Sequence, residues 1–136
     1  MKLTKSVDFT LRMLIYLATN PGSKTTPSLS EELKVPYNHL IKLVQRLAQA
    51  DIVTTKQGKY GGVQLSEKGQ TITVKDVVDV IDGPTQLTVC MDVVTTCEMS
   101  CDCQLKPAIS VIQDRINSVL SDVTLQDIID QPKVSV

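Results

Sequence analysis

Four cysteines lie within fourteen consecutive positions, and the 136-residue chain has no others: Cys90, Cys97, Cys101 and Cys103. In a cytosolic protein, such a tight group favours metal or redox chemistry over structural disulfides. The spacing lacks the paired Cys-x2-Cys knuckles of zinc sites, and two cysteines one residue apart rarely fit one tetrahedral zinc. The group therefore indicates either an iron–sulfur cluster or a redox-active thiol pair.

A second group of polar side chains lies on a helix predicted from about residue 37 to 50. Amide side chains bond adenine edges, and basic ones bond guanine or phosphate. The candidate DNA contacts on its outer face are Asn38, His39, Lys42, Gln45 and Arg46, and its predicted buried stripe is Leu40, Leu43, Val44 and Leu47. A short helix precedes it, with Ser28 as predicted N-cap and Glu31 three residues later. Two short helices joined by a tight turn predict a helix-turn-helix, and Ser28 joins the candidate DNA contacts.

The hydrophobic period changes after this helix. Residues 52–55 and 63–65 are predicted as strands, and a glycine-rich turn joins them. A β-hairpin that directly follows a recognition helix is a wing, and its tip offers phosphate or minor-groove contacts through Lys56, Lys59 and Tyr60. The glycines do not form a nucleotide loop, because no Gly-Lys-[Ser/Thr] sequence ends the turn.

The remaining elements must position these groups. Helices are predicted over residues 7–19 and 74–81, an ordered loop over 85–103, and a long helix over 105–123. The long helix carries a narrow apolar seam suited to a partner helix: Leu105, Ile109, Ile112, Ile116, Val119 and Val123. The predicted fold is mainly α with a small β-hairpin wing, a winged helix-turn-helix plus a long C-terminal dimerisation helix. The predicted units are a DNA-binding domain (1–83), a cysteine-bearing sensor loop (84–103), and the dimerisation helix with its tail (104–136).

Charge is distributed unevenly along the chain. Residues 1–68 carry ten Lys/Arg and five Asp/Glu, whereas residues 69–136 carry four and ten. The first half therefore has a net charge of +5 and suits an anionic partner such as duplex DNA. Neither a signal peptide nor an apolar run of about 18 residues is present, which predicts a cytoplasmic protein. The single histidine has no nucleophile motif around it, so no enzyme activity is expected.

Several motifs resemble the winged-helix iron–sulfur regulator family that includes NsrR and IscR, over almost the whole chain. They are L-T-x-x-x-D-F-x-L-R (3–12), N-H-L-I-K (38–42), G-K-Y-G-G-V-Q-L (58–65), C-Q-L-K-P-A-I (103–109) and V-T-L-Q-D-I (123–128). The start of the recognition helix is more similar to NsrR, the nitric-oxide-sensing branch. The resemblance implies a cytoplasmic transcriptional repressor, a homodimer on a palindromic operator, which senses nitric oxide or redox and iron–sulfur status.

The resemblance also implies a ligand set for the cluster. Cys90, Cys97 and Cys103 match the three ligand positions, and Asp8 matches a carboxylate ligand supplied by the partner subunit. A 4Fe–4S cluster is favoured, with 2Fe–2S as the alternative. The sequence departs from the family pattern at three places: Cys101 is an extra thiol and an alternative ligand, Gln57 replaces a wing arginine, and Pro36 replaces a serine cap.

Two other functions compete with this one. The first is a cluster-free repressor of the same fold, in which Cys97 forms a disulfide with Cys101 or Cys103. The second, from a different class, is a metal-binding adaptor or a small metal-dependent enzyme. The predicted wing and the lack of a catalytic constellation argue against the second.

Overall fold

The structure is a computed structural model that describes residues 2–59, 61–88 and 103–131. Its elements in chain order are α1 (Lys5–Thr19), α2 (Thr26–Leu33), α3 (Tyr37–Gln49), β1 (Val53–Lys56), β2 (Gly62–Leu65), α4 (Glu67–Gln70), α5 (Val74–Ile81), α6 (Leu105–Asp122) and α7 (Leu125–Asp130). The predicted fold class, mainly helical with one hairpin, is confirmed. The short α4 was not predicted, because four residues are too few to show a helical period.

An aliphatic core holds α1, α3 and α5 together. Met13 and Leu14 of α1 are completely buried, and they share one cluster with Leu40 and Leu47 of α3 and Val77 of α5. The predicted buried stripe of α3 is confirmed at all four positions. Since the stripe fixes the rotation of α3 about its own axis, the polar face of this helix must point outward.

Helix α2 begins earlier than the sequence pattern indicated. Its N-cap is Thr25, whose hydroxyl accepts a hydrogen bond from the backbone N–H of Ser28 at 3.3 Å. The predicted capping box of Ser28 and Glu31 is therefore wrong. The competing start signal was Pro27, which fits the first turn because its missing N–H has no partner to lose there.

The turn between α2 and α3 has a left-handed residue. Lys34 caps α2 with φ of 53°, and Val35 then turns its side chain into the core. The hydroxyl of Ser30 donates to the carbonyl of Val35 at 2.7 Å, which fixes the turn from the α2 side. Helix α3 starts directly after Pro36, as the sequence indicated.

The hairpin is antiparallel and gains an extra backbone segment. Val53 pairs with Leu65 and Lys56 with Gly62, while Lys24 exchanges two backbone hydrogen bonds with Val63, at 2.8 and 2.7 Å. A Cβ at Gly62 would lie only 2.5 Å from the Lys24 carbonyl oxygen. Glycine at this position therefore allows the wing to dock against the segment that leads into α2.

Two capping boxes join the starts of α5 and α7. Thr73 caps α5 with Asp76, and Thr124 caps α7 with Asp127. The two threonines form a bridge, flanked by backbone hydrogen bonds of 2.9 Å from Val74 to Val123 and from Leu125 to Ile72. This junction returns the chain to the N-terminal helices, where α7 packs against α1.

Helix α6 spans the predicted length, and among the described residues much of its apolar surface is uncovered. Four of its large apolar side chains are between 47% and 62% exposed: Leu105, Val111, Ile112 and Val119. Helix α6 also packs against α5, and its buried Gln113 accepts a hydrogen bond from the backbone N–H of Leu87 at 2.9 Å. In the described ranges, no helix has the length and apolar character needed to cross a membrane.

The α5 capping box makes stability depend on pH. The backbone N–H and then the hydroxyl of Thr73, at 2.9 and 2.7 Å, lower the pKa of Asp76. A lowered folded-state pKa adds stability above the unfolded-state value of about 3.9, and this stability is lost as pH falls through the folded-state pKa. We expect Asp76→Asn to reduce the free energy of unfolding at pH 7 by about 0.5 kcal/mol, a small value because the carboxylate is exposed.

Urea denaturation at pH 7 and at about pH 3 measures this effect, since the two proteins should converge in acid. Asp114→Asn removes an exposed carboxylate from the middle of α6 and serves as the control. An Asp76→Asn deficit that is equal at both pH values would contradict the assigned role of the carboxylate.

Candidate nucleic-acid interface and sensor site

The polar face of α3 presents three predicted contact residues to solvent. Asn38, Lys42 and Gln45 are all exposed, and their spacing of four and three residues places them on one side of the helix. Tyr37, which the sequence analysis did not select, is 47% exposed at the first position of the same helix. Its position directly after Pro36, at the predicted start of α3, could have identified Tyr37 as an exposed candidate contact.

The ring of His39 is directed against α1. Its Nε2 hydrogen-bonds with the hydroxyl of Ser6 at 3.1 Å, and its ring meets that of Phe9 edge-to-face with centroids 5.4 Å apart. The residue is half-buried, unlike its exposed neighbour Asn38. The sequence did not indicate this contact, because it joins residues 33 positions apart.

Arg46 is also engaged within the protein. Its guanidinium donates to the carbonyl of Ile81 at 2.5 Å, at the last residue of α5. The next residue, Asp82, accepts a hydrogen bond from the hydroxyl of Thr4, the N-cap of α1, at 2.7 Å. The ends of α1, α3 and α5 are thus joined by polar contacts beside the segment that leads to the cysteines.

The remaining predicted DNA contacts lie on α2 and the wing. Ser28 is exposed in the first turn of α2, Lys56 is exposed at the end of β1, and Lys59 is exposed in the turn. Tyr60 lies outside the described residues. The structure therefore places exposed polar or basic groups on α2, α3 and the wing.

The predicted metal ligands are described only in part. Asp8 lies in the first turn of α1 and pairs with Arg12 at 3.0 Å, and the Asp8 side chain is 50% exposed. Cys103 is a free, half-buried thiol two residues before α6. Cys90, Cys97 and Cys101 lie outside the described residues, and within the described ranges no three His, Cys, Asp or Glu side chains form a metal-binding group.

The start of the predicted sensor loop is tied to α6 by a residue that the sequence analysis missed. The buried Gln113 accepts from the backbone of Leu87 at 2.9 Å and donates to Asn117 at 3.2 Å. A lone glutamine in an amphipathic helix gives no sequence signal, since its burial depends on the chain that packs over it.

Residues 3–131 match the family model of Rrf2, described as an iron-dependent transcriptional regulator. The chain belongs to the Rrf2 family. It is 25% identical to CymR, the global cysteine regulator of B. subtilis, over 98% of this chain and 99% of that protein, with a TM-score of 0.75. The oxidized form of Staphylococcus aureus CymR is 20% identical, covering 98% and 100%, with a TM-score of 0.74. T. potens IscR is 17% identical, covering 98% and 94%, with a TM-score of 0.69.

These matches confirm the winged helix-turn-helix fold and the family-level resemblance, which already included IscR. The chain is therefore an Rrf2-family transcriptional regulator. Members of this family bind DNA and regulate transcription.

The hydrogen bond from Arg46 to the Ile81 carbonyl should contribute to the stability of the fold. We expect Arg46→Ala to reduce the free energy of unfolding by about 1–2 kcal/mol, because it removes a charged donor from a partly buried carbonyl. Gln45→Ala changes an exposed neighbour on the same helix and should alter stability by less than about 0.5 kcal/mol. Urea denaturation measures both variants, and equal stabilities would show that the Ile81 contact contributes nothing.

Proposed function

We propose that this regulator is a homodimeric repressor that reads a palindromic operator through α3 and the wing. The observation that carries the proposal is the exposed face of Asn38, Lys42 and Gln45, held outward by the buried stripe on the opposite side of α3. Asn and Gln side chains match the donor and acceptor pair of adenine in the major groove, and Lys bonds guanine or phosphate. Such a face, rigidly presented, is what a recognition helix requires.

The surrounding basic groups support phosphate contacts. Lys56 and Lys59 project from the wing beside α3, and Ser28 lies in the exposed first turn of α2. We assign Tyr60 to the same interface by its place in the wing sequence. His39 and Arg46, which the sequence placed on the DNA face, have partners within the protein, so their contribution to DNA contact is secondary.

Helix α6 is the proposed dimerisation element. Its exposed apolar side chains would be covered by the same helix of a second copy, which would set two α3 helices about one helical turn of DNA apart. We retain the three units at 1–83, 84–103 and 104–136, with the addition that α7 of the last unit packs back on α1. The protein acts in the cytoplasm, where its DNA partner lies.

For sensing, we propose an iron–sulfur cluster of the NsrR type, 4Fe–4S rather than 2Fe–2S. Cys90, Cys97 and Cys103 would hold it, with Asp8 from the partner subunit, and the donor set fits because thiolates are the usual ligands of such clusters. Cys103 is free, and Asp8 has only an exposed ion pair with Arg12 to give up, worth about 0–1 kcal/mol. When bound, the cluster would supply iron that reacts with nitric oxide or oxidants.

The second candidate is a thiol switch without a cluster. It is favoured by the 25% identity to CymR, which is described as a global cysteine regulator, and by the free, half-buried thiol of Cys103. In this case Cys97 would form a disulfide with Cys101 or Cys103. Bound iron and sulfide separate the two candidates, whereas Cys101 does not, because it is optional both for the disulfide and for the cluster.

Lys42→Ala tests the DNA-binding proposal. We expect at least about tenfold weaker binding to an operator selected from random duplexes, and a salt dependence of the affinity with its slope reduced by about two, one for each subunit. Lys106→Ala removes an exposed positive charge from α6 instead and should leave the affinity within about twofold. Both variants should keep a mass of two chains by light scattering. Equal losses in the two variants, or no binding by the wild type, would contradict the proposed interface.

Cysteine substitution tests the cluster. Anaerobically purified protein should show a broad band near about 400 nm that bleaches with nitric oxide, and serine at Cys90, Cys97 or Cys103 should abolish bound iron and sulfide. Asp8→Ala should keep the cluster but make it more labile, since a carboxylate is its weakest proposed ligand. Cys101→Ser is the matched control and should retain iron. A colourless wild-type protein with four titratable thiols would contradict the cluster and favour the thiol switch.

A further inference from the structure

We propose that His39 is a positioning residue that couples α1 to the recognition helix, so that a change at Asp8 alters how α3 meets DNA. The inference rests on the proposed function, since it concerns how the sensor and the DNA-reading face communicate. It gives His39 a role within the protein in place of direct contact with DNA.

The contacts of His39 fall on both sides of Asp8 in the sequence. Ser6 bonds its Nε2 at 3.1 Å, and Phe9 packs against its ring at an interplanar angle of 74°. Ser6, Asp8 and Phe9 share the first two turns of α1, which move as one rigid unit because helical hydrogen bonds join them. A displacement of Asp8 is therefore passed directly to the two groups that hold the histidine.

His39 lies at the start of α3, so its contacts with α1 bear on the position of the exposed face of that helix. It is the third residue of the helix, next to Asn38 and one turn before Lys42, so the exposed face moves with it. The other end of α3 is held by the bond from Arg46 to the Ile81 carbonyl. Seven residues separate the two ties, which is about 10 Å along the helix axis. A shift at His39 thus tilts α3 about its Arg46 end and moves the base-reading side chains.

The two ties differ in strength, and this favours His39 as the adjustable one. Arg46 donates a charge-assisted hydrogen bond to a backbone carbonyl, whereas His39 makes one side-chain hydrogen bond and one ring contact. Thr4 also fixes the start of α1 to Asp82 at the end of α5. Helix α1 is therefore tied to the end of α5 at its N-terminus, and its first two turns contact the histidine through Ser6 and Phe9.

The experiment compares DNA affinity in two sensor states. Operator affinity of the full-length protein is measured before and after nitric oxide, and separately before and after the thiol oxidant diamide, for wild type, His39→Ala and Gln45→Ala. For whichever treatment changes wild-type affinity, we expect His39→Ala to bring the ratio of the two affinities close to one. Gln45→Ala, a change on the exposed face of the same helix, should weaken binding in both states and leave the ratio unchanged.

Two conservative variants separate the contacts. Ser6→Ala removes only the hydrogen bond, and His39→Phe keeps only the ring contact, so each should retain part of the state dependence. Phe9→Leu combined with His39→Ala should be no worse than His39→Ala alone, because the two residues form one contact. Hydrogen exchange of the 37–44 peptide gives a readout without DNA, and His39→Ala should increase its exchange about two- to tenfold.

Three outcomes are decisive. A His39→Ala variant that loses affinity equally in both states, with the wild-type ratio preserved and slow exchange in residues 37–44, would show a DNA contact and overturn the inference alone. A wild type whose affinity responds to neither treatment, while Lys42→Ala still weakens binding, would overturn the sensing function and the coupling with it. A collapsed ratio with faster exchange in residues 37–44 supports the positioning role.

Discussion

The function of this molecule depends on the burial of one stripe of α3. Leu40 and Leu47 are completely buried and pack in the same cluster as Met13 and Leu14 of α1. A helix that buries one face this fully cannot rotate without opening the core, so its polar side chains have a fixed direction. Hydrophobic packing therefore sets the geometry of recognition, and the polar residues contribute specificity on that rigid support.

Polar contacts then fix where the ends of this helix lie. His39 joins its beginning to α1, and Arg46 joins its end to the carbonyl of Ile81. Directional contacts of this kind determine position more than total stability, because each replaces hydrogen bonds to water and contributes only about 1 kcal/mol. The buried stripe thus fixes the rotation of α3 about its own axis, whereas these two contacts define where its ends lie against α1 and α5.

The described chain path brings α7 and the segment at Leu87 back beside the helices that surround α3. The paired capping boxes at Thr73 and Thr124 return α7 to α1 after the long α6, and Gln113 holds the chain at Leu87 before the cysteines begin. Asp8 lies on α1, the helix that contacts both α3 and α7. Helix α1 thus links the proposed ligand Asp8 to the helix that carries the proposed DNA contacts.

The sequence by itself determined the order and type of most elements, because their hydrophobic periods are strong and local. The α3 stripe, the hairpin and the long α6 follow from residues close together in the chain. The motifs also indicated the family, while the ligand set of the cysteine group remains a prediction. Only the tertiary structure decided which polar residues of α3 are free. In the sequence, His39 and Arg46 are polar helix residues of the same kind as Lys42. Their partners Ser6 and Ile81 are more than thirty positions away. Contacts between residues so far apart leave no trace in the local hydrophobic period.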